Sequence, residues 1–313
     1  MKVSVVVPVR NEEGTLAALL DSLLAQAAPP DEIVVADGGS TDGTADRARA
    51  YADRMVRLLE IGPAYPGRGR NAGIRAARND WVALVDGGCT ADPGWLENLV
   101  AAAWGLDSGA RVIFGEQRPR LATEWDVAKA LAFVAPPDPA TGARPPSIAS
   151  SLIHREAWSK VGGFPEHLRA AEDLLFMDRL REAGVPVARS PKAVVYWQLA
   201  AGPLAVYRRF RLYSAHHLAA GLFRTWHLKV MSMDCIALAL LTLVGVSPFF
   251  LIPLLSGMVA RLLRTVARRR HNVSGRWPFR PDRLLRVAGL LALADAATWL
   301  GALDYAIGRE PPR

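Results

Sequence analysis

The chain has almost no cysteine, with Cys89 and Cys235 alone in 313 residues. Two distant thiols make neither a disulfide framework nor a cysteine metal cluster, and they suit a reducing compartment. No glycine fingerprint of the GxGxxG type follows the first apolar run, which weighs against a dinucleotide-binding oxidoreductase. A phosphate-loop lysine motif is absent too. The opening "MKVSVVVPVRNEE" turns polar too soon for a signal peptide. Charged residues are 22% of the chain and hydrophobic ones 51%, a balance that favours a packed core over disorder.

The charge that is present is uneven. Residues 201–313 carry 16 Lys/Arg against 5 Asp/Glu, a surplus of 11 in a chain whose total is +8. Residues 1–200 are therefore net −3. Basic tails meet nucleic acid or anionic lipid. This tail is also the most apolar part of the chain, which favours lipid and argues against nucleic acid.

Residues 1–200 alternate between strand and helix patterns. "KVSVVVPV", "DEIVVADG", "MVRLLE" and "DWVALVDGG" are β-branched or apolar runs of the buried-strand type. Between them, "EEGTLAALLDSLLAQA" and "STDGTADRARAYAD" have helical spacing, and "GRGRNAGIRAARN" reads as a loop running into a helix. This rhythm predicts a mostly parallel sheet with helices on both faces. Ligands of such sheets bind beyond the carboxyl ends of the strands. Polar residues collect there: Arg10, Asn11 and Glu12 after the first strand, Asp37 after the second, Asp86 after the fourth. Each also has a plainer reading, as a helix start, a turn or a cap. Asp86 is the hardest to dismiss, because a lone carboxylate ending a buried strand is costly without a cation beside it.

Taken together, five segments resemble the family 2 glycosyltransferases, which have the Rossmann-like GT-A fold. They are "VSVVVPVRNEEGTLAALLDSLLAQ", "EIVVADGGSTDGT", "GRGRNAGIRAA", "WVALVDGGCTADPGWLENL" and "SKVGGFPEHLRAAEDLLFMDRLREAGV", in family order over roughly residues 3 to 198. The body looks most like the membrane-attached bacterial branch that builds polysaccharides or lipid-linked sugars. The resemblance implies an inverting hexosyltransferase using a UDP- or GDP-sugar. The turn from Pro8 through Arg10 to Glu12, with Asp37, would hold base and ribose. Arg70 and Asn71 would reach towards the diphosphate. Asp86 falls on the first Asp of the family's Asp-x-Asp motif, which binds a divalent ion, here Mg²⁺ or Mn²⁺. The second Asp is Gly88, so a weakly held, donor-dependent metal is expected, with metal-free catalysis by Arg68 or Arg70 as the alternative. Asp173 matches the catalytic base and Glu172 stands beside it. His154, Arg208 and Arg211 are candidates for the acceptor or diphosphate side. The last two match the family's Q/R-x-x-R-W motif only loosely, with Leu212 in place of Trp.

Two other classes stay open: an inactive scaffold, which Gly88 would explain, and a nucleotidyltransferase with a similar sheet. The expected division is a catalytic domain over 1–200, amphipathic interface helices over 201–232, and a membrane-associated helical region over 233–313. Residues 235–260 hold 26 residues without charge, enough to span a bilayer. Ser247, Pro248 and Pro253 interrupt them, and residues 261–286 hold nine arginines and one Asp. Arginine-rich loops stay cytoplasmic. The expectation is a shallow re-entrant hairpin, an arginine-rich cytosolic loop and a final helix containing Asp295. One tilted, kinked span is the competing topology. A nucleotide-sugar donor puts the catalytic domain on the cytoplasmic side of the inner (plasma) membrane. A polyprenyl phosphate or lipid-linked glycan is the acceptor such an anchor suggests.

Overall fold

The computed structural model describes residues 1–105, 109–224 and 226–310. The chain divides into two compact units, one of residues 1–118 and 140–198, the other of residues 119–139 and 199–313.

The first unit is built on a sheet in the order β3-β2-β1-β4-β7-β6-β8-β5. β1 (Val3–Val9), β2 (Glu32–Asp37), β3 (Val56–Glu60) and β4 (Trp81–Leu84) run parallel. β7 (Ser151–His154) pairs antiparallel with β4 and with β6 (Val112–Pro119), and β5 (Cys89–Ala91) pairs antiparallel with β8 (Val187–Trp197). The sheet is thus mixed, parallel on one side and antiparallel on the other. It is the GT-A fold the sequence leads one to expect.

Burial on both faces explains why β1 is so rich in valine. Val3, Val5, Val7 and Val9 enter one core with Leu16, Leu19, Leu20 and Leu23 of α1 (Glu13–Leu24) and Trp95 of α4 (Trp95–Trp104). Val6 enters the other, with Ile74 of α3 (Pro66–Ala76) and with Phe176 and Leu180 of α7 (Glu172–Glu182). A strand covered on both faces is apolar on both, apart from Ser4, whose hydroxyl donates to Glu32 at 2.7 Å. α2 (Thr44–Arg49) is a short connector, as is α6 (Arg155–Lys160). The "GRGRNAG" stretch, expected as a loop, is helical. Pro66 starts α3, where its missing N–H has no helical partner to lose.

The second unit is helical: α5 (Glu124–Phe133), α8 (Gly202–Ala219), α9 (His227–Val244), α10 (Leu251–Arg269) and α11 (Pro281–Ala306). α11 buries a stripe from Arg283 through Val287, Leu290, Ala294, Ala297 and Gly301 to Asp304. That spacing of three and four is one helix face. Its partners are α5, where Arg283 pairs with Glu124 at 2.8 Å, and α8, where Arg211 clasps Asp304 with two bonds of 2.6 and 2.8 Å. His227–Val244, Pro248–Val273 and Pro281–Ala306 are each long and apolar enough to cross a membrane. The helix breaks between Gly245 and Phe250, at the serine and proline singled out in the sequence. α9, however, begins at His227, well ahead of the apolar run.

Candidate active site

The parallel strands end on one edge, and the polar turns meet there. Asn11 follows β1 in the left-handed conformation (φ 58°). This short amide side chain tolerates that region better than most. The turn is laced to the one after β2. Asn11 N–H donates to Ser40 Oγ at 2.9 Å, Thr41 N–H donates to Asn11 Oδ1 at 2.8 Å, and Glu12 N–H donates to Thr44 Oγ1 at 2.8 Å. Asp37 is buried and accepts from Ser40 through both its N–H (3.0 Å) and its hydroxyl (2.6 Å). Pro8 and Arg10 are half-buried on the same turn. These residues make a rigid polar shelf at the ends of β1 and β2.

Arg70 organises the other half. It is buried on α3, and its guanidinium bridges two carboxylates, Glu172 Oε1 at 2.5 Å and Asp86 Oδ1 at 2.8 Å. Its face lies over the Phe164 ring at 5.5 Å. Burial opposes its charge, but Asp86, Glu172 and Asp173 outweigh burial and hold it protonated. Glu172 and Asp173 open α7, just after Ala171, which is also left-handed (φ 70°). An alanine there is strained and is held by its buried surroundings. Burial pushes the Asp173 carboxyl above its ordinary value; Arg70 pulls it back in part, and the nearby charge of Asp86 adds to the rise. Burial raises Glu172 as well, against the pull of Arg70. Asp86, Arg70, Glu172 and Asp173 are therefore one electrostatic cluster.

Four sequence-predicted residues lie elsewhere or do other work. Asn71 is buried and fully occupied. It donates to Phe164 O and Glu166 Oε1, and accepts from Phe164 N–H and Trp158 Nε1, each at 2.9 Å. An amide has two donors and two lone pairs, so Asn71 staples the "GGF" loop to α3 and has nothing left for a phosphate. The loop needs its glycines: Gly163 has φ +72°, and a Cβ there would stand 2.8 Å from Asn71 Oδ1. His154 pairs with Trp81 at the start of β4, the end of the strand opposite Asp86. There its ring caps α6 through Glu156 N–H and packs edge-on against Trp81. Arg211 belongs to the helical unit and is committed to Asp304; Arg208 lies on the same helix.

A metal has one carboxylate on offer from the motif. Among the described residues no three His, Cys, Asp or Glu side chains converge as a metal site. Position 88 offers no ligand, and a Cβ there would lie 3.6 Å from Glu12 Oε2. Asp86 has a 40% exposed side chain, so a ligand can reach it while Arg70 is bound. The donor set fits a cation only when diphosphate oxygens and water complete the shell that hard cations need. Glu12 as the carboxylate nearest position 88 was not legible in the sequence; its only signal is the pair of glycines that leave it room.

The family model described as Glycosyl transferase family 2 matches residues 4–122. The glycosyltransferase AglE of Haloferax volcanii is 25% identical over 255 residues, covering 79% of this chain and 81% of that protein. The succinoglycan biosynthesis protein ExoO of Rhizobium meliloti is 37% identical over 102 residues, or 32% of this chain and 29% of ExoO. Solved structures resemble the whole chain, and two of them hold a nucleotide sugar. One is Staphylococcus aureus TarS 1-349 with UDP-GlcNAc, at TM-score 0.53 and 19% identity, covering 99% of this chain and 93% of that one. The other is the mannosyltransferase PcManGT of Pyrobaculum calidifontis with GDP-Man and Mn²⁺, at TM-score 0.56 and 20% identity, covering 99% and 88%.

Proposed function

The chain carries a glycosyl transferase family 2 domain, and from that premise we propose that it is an inverting glycosyltransferase. It moves a hexosyl group from a UDP- or GDP-sugar to a membrane-linked acceptor such as a polyprenyl phosphate or lipid-linked glycan. The observation that carries this reading is the Asp86–Arg70–Glu172 bridge with Asp173 beside it, all beyond the carboxyl ends of the parallel strands. The donors bound by TarS and PcManGT support a nucleotide-diphosphate sugar.

The chemistry follows from the residues. Asp37 and the Pro8–Glu12 turn, with Arg10, receive the nucleoside. With a lipid-linked glycan as acceptor, Asp173 accepts the proton of the acceptor hydroxyl, whose oxygen attacks the anomeric carbon from the face opposite the diphosphate; a polyprenyl phosphate would attack through an oxygen that is already anionic. The anomeric C–O bond to the diphosphate breaks as the new bond forms, so configuration inverts. A positioned base contributes roughly 10²–10⁴ in rate. Glu172 keeps Arg70 in place, and Arg70 orients Asp86 towards the diphosphate. Mg²⁺ or Mn²⁺, when bound, would supply positive charge to the leaving diphosphate, with Asp86 as its protein ligand. The apolar helices of the second unit hold the enzyme at a membrane, with its catalytic unit in the cytoplasm.

Incubating the detergent-solubilised chain with UDP- and GDP-sugars, with and without Mn²⁺, tests the proposal. A nucleoside diphosphate product supports it. Pyrophosphate would indicate nucleotidyl transfer, and no turnover with any donor would indicate a scaffold.

A further inference from the structure

α9 and α10 form an antiparallel hairpin. Asp234 on α9 and Arg261 on α10 face each other at 3.9 Å, equally far from the break at residues 247–248. Between these two residues lie 26 uncharged residues, 235–260, and not one is buried. The tip residues Val246 and Phe249 are 80% and 79% exposed. Along the arms Ile236, Leu238, Leu241, Ile252, Leu255 and Met258 are all exposed. So large an apolar surface needs a partner.

The base of the hairpin is the opposite in character. Arg261 makes a bidentate pair with Asp295 of α11, at 2.6 and 2.7 Å. Asp234 accepts from Trp299 Nε1 at 2.9 Å. These four side chains bind the two arms of the hairpin to α11. Arg264, Arg268, Arg269 and Arg270 follow in the chain beyond the lock. α11 has one face covered, with ion pairs at Arg283, Asp295 and Asp304. A helix with charged pairs near both ends and in the middle is a poor bilayer span.

We propose that the α9–α10 hairpin is a single-leaflet anchor, inserted into an anionic phospholipid membrane and stopped at the headgroups by the Asp234–Arg261–Asp295 lock. The dimensions fit. The 13 residues from 235 to 247 rise about 19 Å at 1.5 Å each. Half of a bilayer of ~40–45 Å, headgroups included, is about 20–22 Å. The hairpin reaches the midplane and stops short of the far surface. Trp299 at the lock matches the preference of tryptophan for the interface, and the arginines beyond it meet anionic headgroups at roughly 1 kcal/mol each. All three charges of the lock stay paired at the boundary and out of the hydrocarbon. The inference is independent of the sugar and of the acceptor, because it rests on the helical unit alone.

The test uses the full chain with Cys235→Ser, reconstituted in phosphatidylglycerol/phosphatidylethanolamine vesicles. Single cysteines replace Ile236, Val246 and Leu263, all exposed positions, and carry nitroxide labels. Collisions with oxygen and with a water-soluble nickel chelate then report depth. The expected result is a label at 246 near the midplane, with 236 and 263 in the headgroup region. In intact cells, Val246→Cys should resist an impermeant maleimide added from outside. Labelling of that cysteine from outside would mean a hairpin crossing both leaflets. Equal depth at 236 and 246 would mean a hairpin lying flat along the membrane and not inserted tip first. Nickel access at 246, or spin–spin broadening there that marks a second copy as the partner, would mean no insertion. Any of these results overturns the proposal.

Discussion

Replacing Arg70 by Met tests the idea that one buried guanidinium holds the site together. The substitution keeps a long unbranched side chain and removes the charge. Arg70 and Glu172 each have 6% exposed side chains, whereas Asp86 is 40% exposed. The Asp86 pair is screened by water and counts for at most about 1 kcal/mol. The Glu172 pair is different, because its loss strands a buried carboxylate. Breaking such a pair costs about 3–5 kcal/mol. Glu172 can escape part of that cost by taking up a proton. Burial already raises its pKa, and losing Arg70 raises it further. The penalty is therefore largest towards alkaline pH, where Glu172 would be ionised, and shrinks as pH falls through its raised value.

Hydrogen exchange of the slowest amides of β1 and β4 isolates the catalytic unit from the helical one. At 1.36 kcal/mol per decade, their protection should fall by roughly 10²–10⁴ towards alkaline pH and by less in acid. The double variant Arg70→Met/Glu172→Gln removes the stranded charge and should recover most of the loss. A single variant within tenfold of the parent at alkaline pH would refute the reasoning. So would a double variant no better than the single.

The other expectations concern the reaction. Asp173→Asn should lower kcat by about 10²-fold or more with donor affinity nearly unchanged, as rapid-quench turnover and donor titration would report; near-normal turnover removes Asp173 from the role of base. Because burial chiefly raises the Asp173 carboxyl, the acid limb of kcat/KM should fall at a pH above the ordinary Asp value of about 3.9. A base works ionised, so activity is lost as pH drops through that limb, and a limb at or below the ordinary value contradicts the assignment. Asp86→Ala should abolish metal-dependent donor binding by calorimetry. Gly88→Asp has room for its Cβ and should tighten Mn²⁺ binding in the absence of donor, while full parental activity after exhaustive chelation would remove the metal from the mechanism.

Much of the fold could be read locally. The valines of β1 and β2 and the leucines of α1 carry their own periodicity, and each segment is long enough to display it. The antiparallel half could not be read in the same way. β5 has three residues and β7 four, too short for a period to emerge, and both are strands only because of distant partners. The break in the apolar tail was visible in Ser247 and Pro248. The length of α9 was not, because its first turns are polar and their helicity depends on packing with α8 and α11.

The site divides along the same line. Asp37 and Asp86 could be found because each ends a strand, and a strand end is a local feature. The contact between Arg70 and Glu172 spans 102 residues, and no local pattern carries it. Asn71 marks the limit most clearly. The family resemblance paired it with Arg70 on the diphosphate side. On a helix of 3.6 residues per turn, adjacent side chains point about 100° apart, so α3 cannot aim both at one phosphate. Arg70 takes the face towards Asp86, and Asn71 is left facing the "GGF" loop. That loop leads to Ala171 and to Glu172, the partner of Arg70, at the start of α7. The asparagine next to the arginine thus anchors the segment that precedes the arginine's partner. Asn71→Ala would act through α7 and Asp173 on turnover, and only indirectly on the donor.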